Sequence, residues 1–375
     1  MREKLRHHIG SDVGADILAA IIAVIVGMAV GYIILLVSNA AQSGEAFKTI
    51  LTSGISSRKS MGQVLYFAAP IIMTGLSVGF TLRTGLFNIG ASGQFITGAY
   101  AAILVGVKLD FLPGVLHCLA ALIAAMAAGA IWGFIPGILK AKWNVNEVIA
   151  CIMMNYVGMY LVNFLIVRTA YDSLRNQSMK VANSTNLPKL GLDTLFPGSS
   201  VNSGIFVAII MAVIIYVVLE KTKFGFEIKA IGFNRDSARY AGMNEERGII
   251  LSMVIAGSLA GLGGAIMYLS GAGNRIDVVD VLAAEGFNGI PVALLGLNNP
   301  LGIIFAGLLI AYLNVGGFNM QLFNFAPQVI EIMIAIIIYF SAFTLLLKEF
   351  LQRVRKQRKL AETETAAGEK EGDTK

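Results

Sequence analysis

What chemistry this chain offers rests on amides. Asn88, Gln94, Asn155, Asn163 and Asn288 all fall inside apolar stretches. A carboxamide presents a neutral donor and a neutral acceptor, so it recognises hydroxyls and ring nitrogens without burying a charge. Such groups either tie helices together, at about 0.6–2 kcal/mol each, or line a path for a neutral, hydroxyl- or base-bearing solute. Tying suits Asn155 and Asn163 better. Asn88, Gln94 and Asn288 sit beside glycine-rich helix breaks and suit lining equally well.

Catalytic constellations are missing from the sequence. His7, His8 and His117 do not cluster with cysteines or carboxylates at metal-ligand spacing. Cys118 and Cys151 both fall in apolar segments, which implies no disulfide framework. No G-x-x-x-x-G-K-[ST] string occurs, so the chain lacks a Walker-type phosphate cradle. The expectation is a protein that is not an enzyme, with no metal or cofactor of its own. Energy then comes from a partner or from an ion gradient. An ion-coupled carrier usually buries ionisable groups in the bilayer. Here Glu147 falls at the inner end of an apolar span and Glu285 and Glu331 near outer ends, so the span interiors hold almost none.

The elements that position these amides are membrane helices. The 375 residues are 56% hydrophobic and 14% charged, with mean hydropathy +0.72, against about 25% charged in soluble domains. Apolar runs approach the roughly 20 residues that cross a hydrocarbon core, and they are continuous rather than alternating, which argues against a β-barrel. The fold class expected is an all-α polytopic membrane protein of about ten spans, near 16–38, 64–80, 86–107, 114–139, 147–167, 204–219, 249–270, 281–297, 301–315 and 328–347. The first follows MREKLRHH, is too long for a signal h-region and is read as retained. The transmembrane region thus runs over 16–347, between an N-terminal segment 1–15 and a tail 348–375 that is basic, then polar and disordered. With the N-terminus inside, 20 of the 29 Lys and Arg residues fall on the cytoplasmic side and 9 outside. The positive-inside rule therefore puts both termini in the cytoplasm. The net charge of +6 is a topological signal, not one for nucleic acid.

Two glycine-rich strings resemble each other: Gly85-Leu86-Phe87-Asn88-Ile89-Gly90 and Glu285-Gly286-Phe287-Asn288-Gly289-Ile290-Pro291. They open spans five apart, hence of opposite direction, as in an inverted-topology repeat whose broken helices meet at a substrate path. Backbone freed by Gly and Pro cannot face lipid, so 85–94 and 286–291 must face protein or a wet cavity. The seventh span carries Gly257, Gly261 and Gly264 on neighbouring positions, which permits close helix packing. Pro70 and Pro136 are expected to kink their helices.

Residues 220–248 form a charged island between apolar segments, with six Lys or Arg. Asn234 or Asp236 can cap a short helix over 235–241, with Gly242 as its stop. A short surface helix of this kind suits docking to a soluble partner.

This loop, TKFGFEIKAIGFNRDSARYAGM from Thr222 to Met243, resembles the coupling loop of ABC-importer permeases of the branched-chain amino acid and ribose transporter superfamily. TLRTGLFNIGASGQFITGAYAA (Thr81–Ala102) and NPLGIIFAGLLIAYLNVGG (Asn299–Gly317) are similar to further segments of it. NVNEVIACIMMNYV (Asn144–Val157) looks like the nucleoside-type permeases that work with basic-membrane-protein-like binding lipoproteins. The resemblance spans residues 60–345. It departs at Ser92, where a carboxylate is usual, and near Cys151, where a threonine is.

The resemblance implies a multi-pass subunit in a bacterial plasma membrane. Its partners would be ABC ATP-binding subunits holding ATP and Mg, a second related permease forming a heterodimer, a substrate-binding lipoprotein and the lipid bilayer. The solute would be a nucleoside, or else a ribose-like sugar or branched-chain amino acid. Phe87, Asn88, Ser92, Gln94, Asn155, Phe287 and Asn288 would line the pathway. Gly225, Ala230, Gly232, Asn234, Arg235, Ala238 and Gly242 would form the ATPase-coupling loop. A stand-alone secondary carrier, or a membrane scaffold or receptor, is the competing reading.

Overall fold

A computed structural model describes residues 21–22, 24–323, 325 and 328–342. Segment 1–15, the start of the first expected span, the end of the last and the tail 348–375 lie outside the described residues.

Helices follow one another almost without interruption. They are α1 (Val24–Ser38), α2 (Ser43–Ser53), α3 (Arg58–Arg83), α4 (Ala91–Lys108), α5 (Gly114–Trp143), α6 (Glu147–Thr169), α7 (Leu192–Leu195), α8 (Gly204–Lys221), α9 (Lys223–Phe233), α10 (Arg235–Tyr240), α11 (Glu245–Tyr268), α12 (Ala284–Phe287), α13 (Gly289–Leu295), α14 (Pro300–Met320) and α15 (Gln328–Ala342). Polar caps mark where apolar runs begin. Ser57, Asn146, Thr222, Asn234, Asn244 and Asn299 each accept from a backbone N–H of the first turn, satisfying donors that the helix leaves unpaired. A two-residue antiparallel hairpin, Tyr171–Asp172 with Gln177–Ser178, interrupts the otherwise helical chain. It lies in the long α6–α8 connection, where polar residues replace the apolar run.

The chain divides into two compact units. One runs to Gly44 and resumes at Phe325; it holds α1 and α15, and Gly31 leaves room for the Met333 side chain. The other, Glu45–Asn324, holds the remaining helices. Six of its helices (α3, α5, α6, α8, α11, and α14 with the turn after it) are long and apolar enough to cross a membrane. α3 and α11 are largely enclosed by other helices. α5, α6 and α8 instead turn Ile123, Ile131, Ile149, Phe164 and Ile210 outward, as helices in lipid do. The chain is a multi-pass membrane protein.

Glycine decides how α11 packs. A Cβ on Gly257 would stand 2.1 Å from the Gly129 carbonyl oxygen of α5, and one on Gly261 2.4 Å from that of Ala125. Gly264 meets the Phe95 carbonyl of α4 in the same way, at 2.3 Å. The small-residue stripe expected in the seventh span is therefore the contact face of α11 against α4 and α5. α3 and α5 each continue through their prolines, Pro70 and Pro136.

Two expected spans are corrected. The third is helical only from Ala91, because Thr84–Gly90 forms a non-helical turn with Gly85 at φ +71°. The eighth, 281–297, is not one helix but α12 and α13, of 4 and 7 residues, broken at Asn288. Neither piece alone can cross a bilayer. Gly286, Gly289 and Pro291 explain the break: two glycines weaken the helix, and Pro291 withdraws an N–H from it.

Candidate functional site

The turn before α4 is organised by amides. Asn88 is fully buried and its Nδ2 donates to Gln94 Oε1 at 2.8 Å and to Ser77 Oγ at 3.2 Å. Gln94 Nε2 returns a bond to Asn88 Oδ1 at 3.1 Å, so the two amides form a reciprocal pair. Asn155 of α6 spans the same turn: its Oδ1 accepts from Gly93 N at 2.8 Å and its Nδ2 donates to Ile89 O at 3.1 Å. Asn88 and Gln94 spend their amides on each other and on Ser77, and Asn155 spends its amide on backbone groups of the turn and of the start of α4, which would otherwise face an apolar interior.

The same turn receives the broken helix. Ser92 Oγ donates to Ala283 O at 2.8 Å, just ahead of α12. Gly286 lies on the Ser92 backbone, where a Cβ would stand 2.2 Å from Ser92 Cα. Gly289 lies on Thr74, 2.4 Å from its carbonyl oxygen by the same measure. The two Phe-Asn strings singled out in the sequence are therefore both helix breaks, and the second packs on the residues just after the first. Phe87 packs among Val78, Ala91, Ala260 and Ala293 in an apolar cluster. Phe287 and Asn288 remain half-buried.

The charged island folds as two helices. The expected short helix is α10, capped by Asn234 Oδ1 accepting from Ser237 N at 2.9 Å and followed by Gly242 at φ +82°. The helix α9 before it was not legible in the sequence; its opening turn against α8 depends on Gly225, whose Cβ would fall 2.1 Å from Val218 O. Ile231 and Ala238 sink into a cluster with Leu86, Cys151, Ile249 and Met253. Half-buried Ala230 and Gly232 lie on the same helix. Gly232 seats α9 on the turn before Asn88: a Cβ there would stand 2.5 Å from Thr84 C and 2.6 Å from Gly85 N. Arg235 Nε lies 3.0 Å from Glu245 Oε2, and its Nη1 donates to Asn144 Oδ1 at 3.4 Å. α10 is thus tied to the α5–α6 turn and to α11. Phe233 and Tyr240 are 96% and 93% exposed.

A pocket of about 320 Å³ lies between α4, α5 and α6, lined by residues that include Thr97, Tyr100, Trp132, Leu161 and Leu165. Its walls are almost wholly apolar, so it lacks the donors and acceptors that a polar solute needs.

A family model described as the permease component of the branched-chain amino acid transport system matches residues 60–342. The chain belongs to this permease family. The permease is 40% identical, over 79% of its length and 85% of the relative's, to the guanosine ABC transporter permease protein NupP of Bacillus subtilis. It is 35% identical to the nucleoside ABC transporter permease protein NupB of Lactococcus lactis, over 86% and 90% of the two chains. It is 34% identical to the glucose ABC transporter permease protein TsgB13 of Haloferax volcanii, over 86% and 85%. No solved structure matches it.

One residue beside the Gly286–Ser92 contact of this permease lies outside the pathway set read from the sequence. Glu285, expected near an outer end, stands next to Gly286, which packs on Ser92, and lies near Tyr66 and Tyr268. The signal available was its position one residue ahead of a Gly-Phe-Asn-Gly break.

Asn155→Leu is expected to destabilise the permease by about 2–6 kcal/mol, since it leaves Gly93 N and Ile89 O unpaired at about 1–3 kcal/mol each. A thermal melt in detergent checks this. Asn163→Leu should cost far less, because Asn163 bonds only at an exposed edge, to Val279 O and Asp280 Oδ1.

Proposed function

We propose that this permease is the membrane subunit of an ATP-driven importer that admits nucleosides to the cell. The observation that carries the reading is the seat of Gly232 on Gly85. Through it a surface helix presses directly on the turn that holds Asn88 and meets the broken helix. A partner that pulls α9 and α10 therefore moves the segment lying against α12. The projecting aromatics Phe233 and Tyr240 offer that partner low-entropy anchors of the kind enriched at protein interfaces.

In this reading ATP and Mg are held by separate ATP-binding subunits docked on α9 and α10. Gly225, Ala230, Gly232, Asn234, Arg235, Ala238 and Gly242 shape that docking element. A binding lipoprotein delivers solute at the outer face, and a second related permease closes the pathway. Phe287 and Asn288 face the path; Phe87, Asn88, Ser92, Gln94 and Asn155 form the wall behind it. The chain crosses a bacterial plasma membrane ten times with both termini inside, counting α1, α15, α4 and the broken α12–α13 pair with the six long helices. The two broken strings are the midpoints of an inverted repeat.

Nucleoside as substrate is supported by the names of the Bacillus and Lactococcus relatives and by the scarcity of charge in the spans. The Haloferax relative favours a sugar as the second reading.

Uptake of labelled guanosine, uridine, ribose, glucose and leucine is to be compared in cells with and without the gene, each with and without ATP depletion. The expected result is gene-dependent nucleoside uptake that ATP depletion abolishes. Gene-dependent uptake of sugar or leucine alone would overturn the substrate, and uptake that survives ATP depletion would replace the importer with a secondary carrier.

A further inference from the structure

We infer that Glu285 and Asn288 are the solute-reading pair of the pathway: a carboxylate and an amide, one turn apart, that accept from two adjacent N–H or O–H donors of a neutral solute. The inference rests on the permease reading and extends it to a residue outside the pathway set read from the sequence.

Glu285 and Asn288 are three residues apart, and Asn288 keeps helical dihedrals of φ −59° and ψ −17°, so both side chains leave one face of the segment. Gly286 and Gly289 have the same spacing and occupy another face. The two glycines are pressed on the backbones of Ser92 and Thr74 so closely that neither can carry a side chain. The glycine contact thus seats the segment on α3 and α4, with Glu285 near Tyr66 of α3.

Depth comes next. Thr74 lies 16 residues from the first residue of α3 and 9 from its last, about 24 Å and 14 Å along the helix axis. Gly289, which touches it, sits well inside the span, and Glu285 lies one turn before it. At that depth an ionisable side chain faces a water-filled path or a partner, not lipid.

Neither group is satisfied within the protein. Among the described residues Glu285 forms no ion pair or hydrogen bond, and the Asn288 side chain has no hydrogen-bond partner. Both are half-buried. This sets them apart from Asn88, Gln94 and Asn155, whose amides are spent on one another and on backbone. Nearby polar groups are also occupied: the Tyr66 hydroxyl accepts from Asn274 Nδ2 at 2.6 Å and lies 3.4 Å from Ser270 Oγ. The free acceptors at this level are the Glu285 carboxylate and the Asn288 carbonyl.

A carboxylate takes two parallel hydrogen bonds from donors on adjacent atoms. In a nucleoside two places supply them, the ribose 2′,3′-diol and the N1–H with the 2-amino group of guanine.

The test uses cells carrying the complete importer and compares parent with Glu285→Gln and Glu285→Asp. Initial uptake of labelled guanosine, uridine and 2′,3′-dideoxyguanosine is measured, together with the amount of inserted permease and of co-purified ATP-binding subunit. Glutamine keeps size and removes the second strong acceptor. The expected result is a fall of about tenfold or more in guanosine uptake at unchanged assembly, partly restored by aspartate. If the diol is read, uridine falls equally and dideoxyguanosine, slow already in the parent, does not fall further. If the guanine edge is read, dideoxyguanosine falls with guanosine and uridine keeps its rate. Three parental rates, a uniform fall of all three solutes, or a fall matched by loss of the assembled complex would each overturn the inference. Absence of ATP-dependent nucleoside uptake in the parent would instead sink the permease reading, and the inference with it.

Discussion

Gly232→Val is expected to cut ATP-dependent uptake by about tenfold or more while the protein still inserts. The new Cβ would stand 2.5 Å from Thr84 C and 2.6 Å from Gly85 N, and both are backbone atoms that cannot swing aside. Gly85 itself holds φ +71°, a conformation that a side-chain-bearing residue enters only under strain, so the turn does not adapt either. α9 must therefore lift away from the turn. Overpacking of this kind costs about 1–3 kcal/mol, and each 1.4 kcal/mol is about a factor of ten in an equilibrium. The aromatics Phe233 and Tyr240 still project, so the ATP-binding subunit should still co-purify. The measurement is uptake alongside ATP hydrolysis stimulated by loaded binding protein; both should fall while basal hydrolysis persists. Normal uptake by a correctly inserted variant would end the coupling role assigned to this contact.

Gly257→Leu should have the largest effect on stability, a loss of about 3 kcal/mol or more. The Gly129 carbonyl oxygen lies where the Cβ would go, at 2.1 Å, and Gly133 Cα is 3.2 Å away on the next turn of α5. Helix association in lipid has little hydrophobic drive and depends on close backbone approach, so separating α11 from α5 removes what holds them. The check is yield and midpoint in a detergent thermal melt, with Gly44→Ala as a control. Gly44 has open space around it, and alanine there should leave the midpoint unchanged or slightly raised. A Gly257→Leu protein with parental midpoint would show that the α5–α11 contact is not the organising one.

Hydropathy, local capping and small-residue spacing were readable from the chain alone because each is summed over neighbouring residues. The membrane character follows from the apolar runs. The limits of α10 follow from Asn234 and Gly242, which act on the backbone within one turn. The contact face of α11 follows from Gly257, Gly261 and Gly264 falling close together on one helix. The amides Asn88 and Gln94 were recognised as special, but their mutual pairing depends on the fold of the turn between them.

Other features were decided by contacts between residues far apart in sequence. Gly232 meets Gly85 across 147 positions, and Gly286 meets Ser92 across 194; no local pattern encodes either. The apolar run 281–297 reads as a span by composition, yet its glycines and proline break it, and packing on Thr74 and Ser92 holds the pieces. Glu285 looked peripheral because only its distance from the end of an apolar run was visible. Tertiary packing set it next to Gly286, which rests on the start of α4 at Ser92. Composition thus determined that this protein lives in a membrane, and local chemistry determined where its helices start and stop. Which polar groups are spent on the fold and which remain free for a solute was decided only when distant backbones came together.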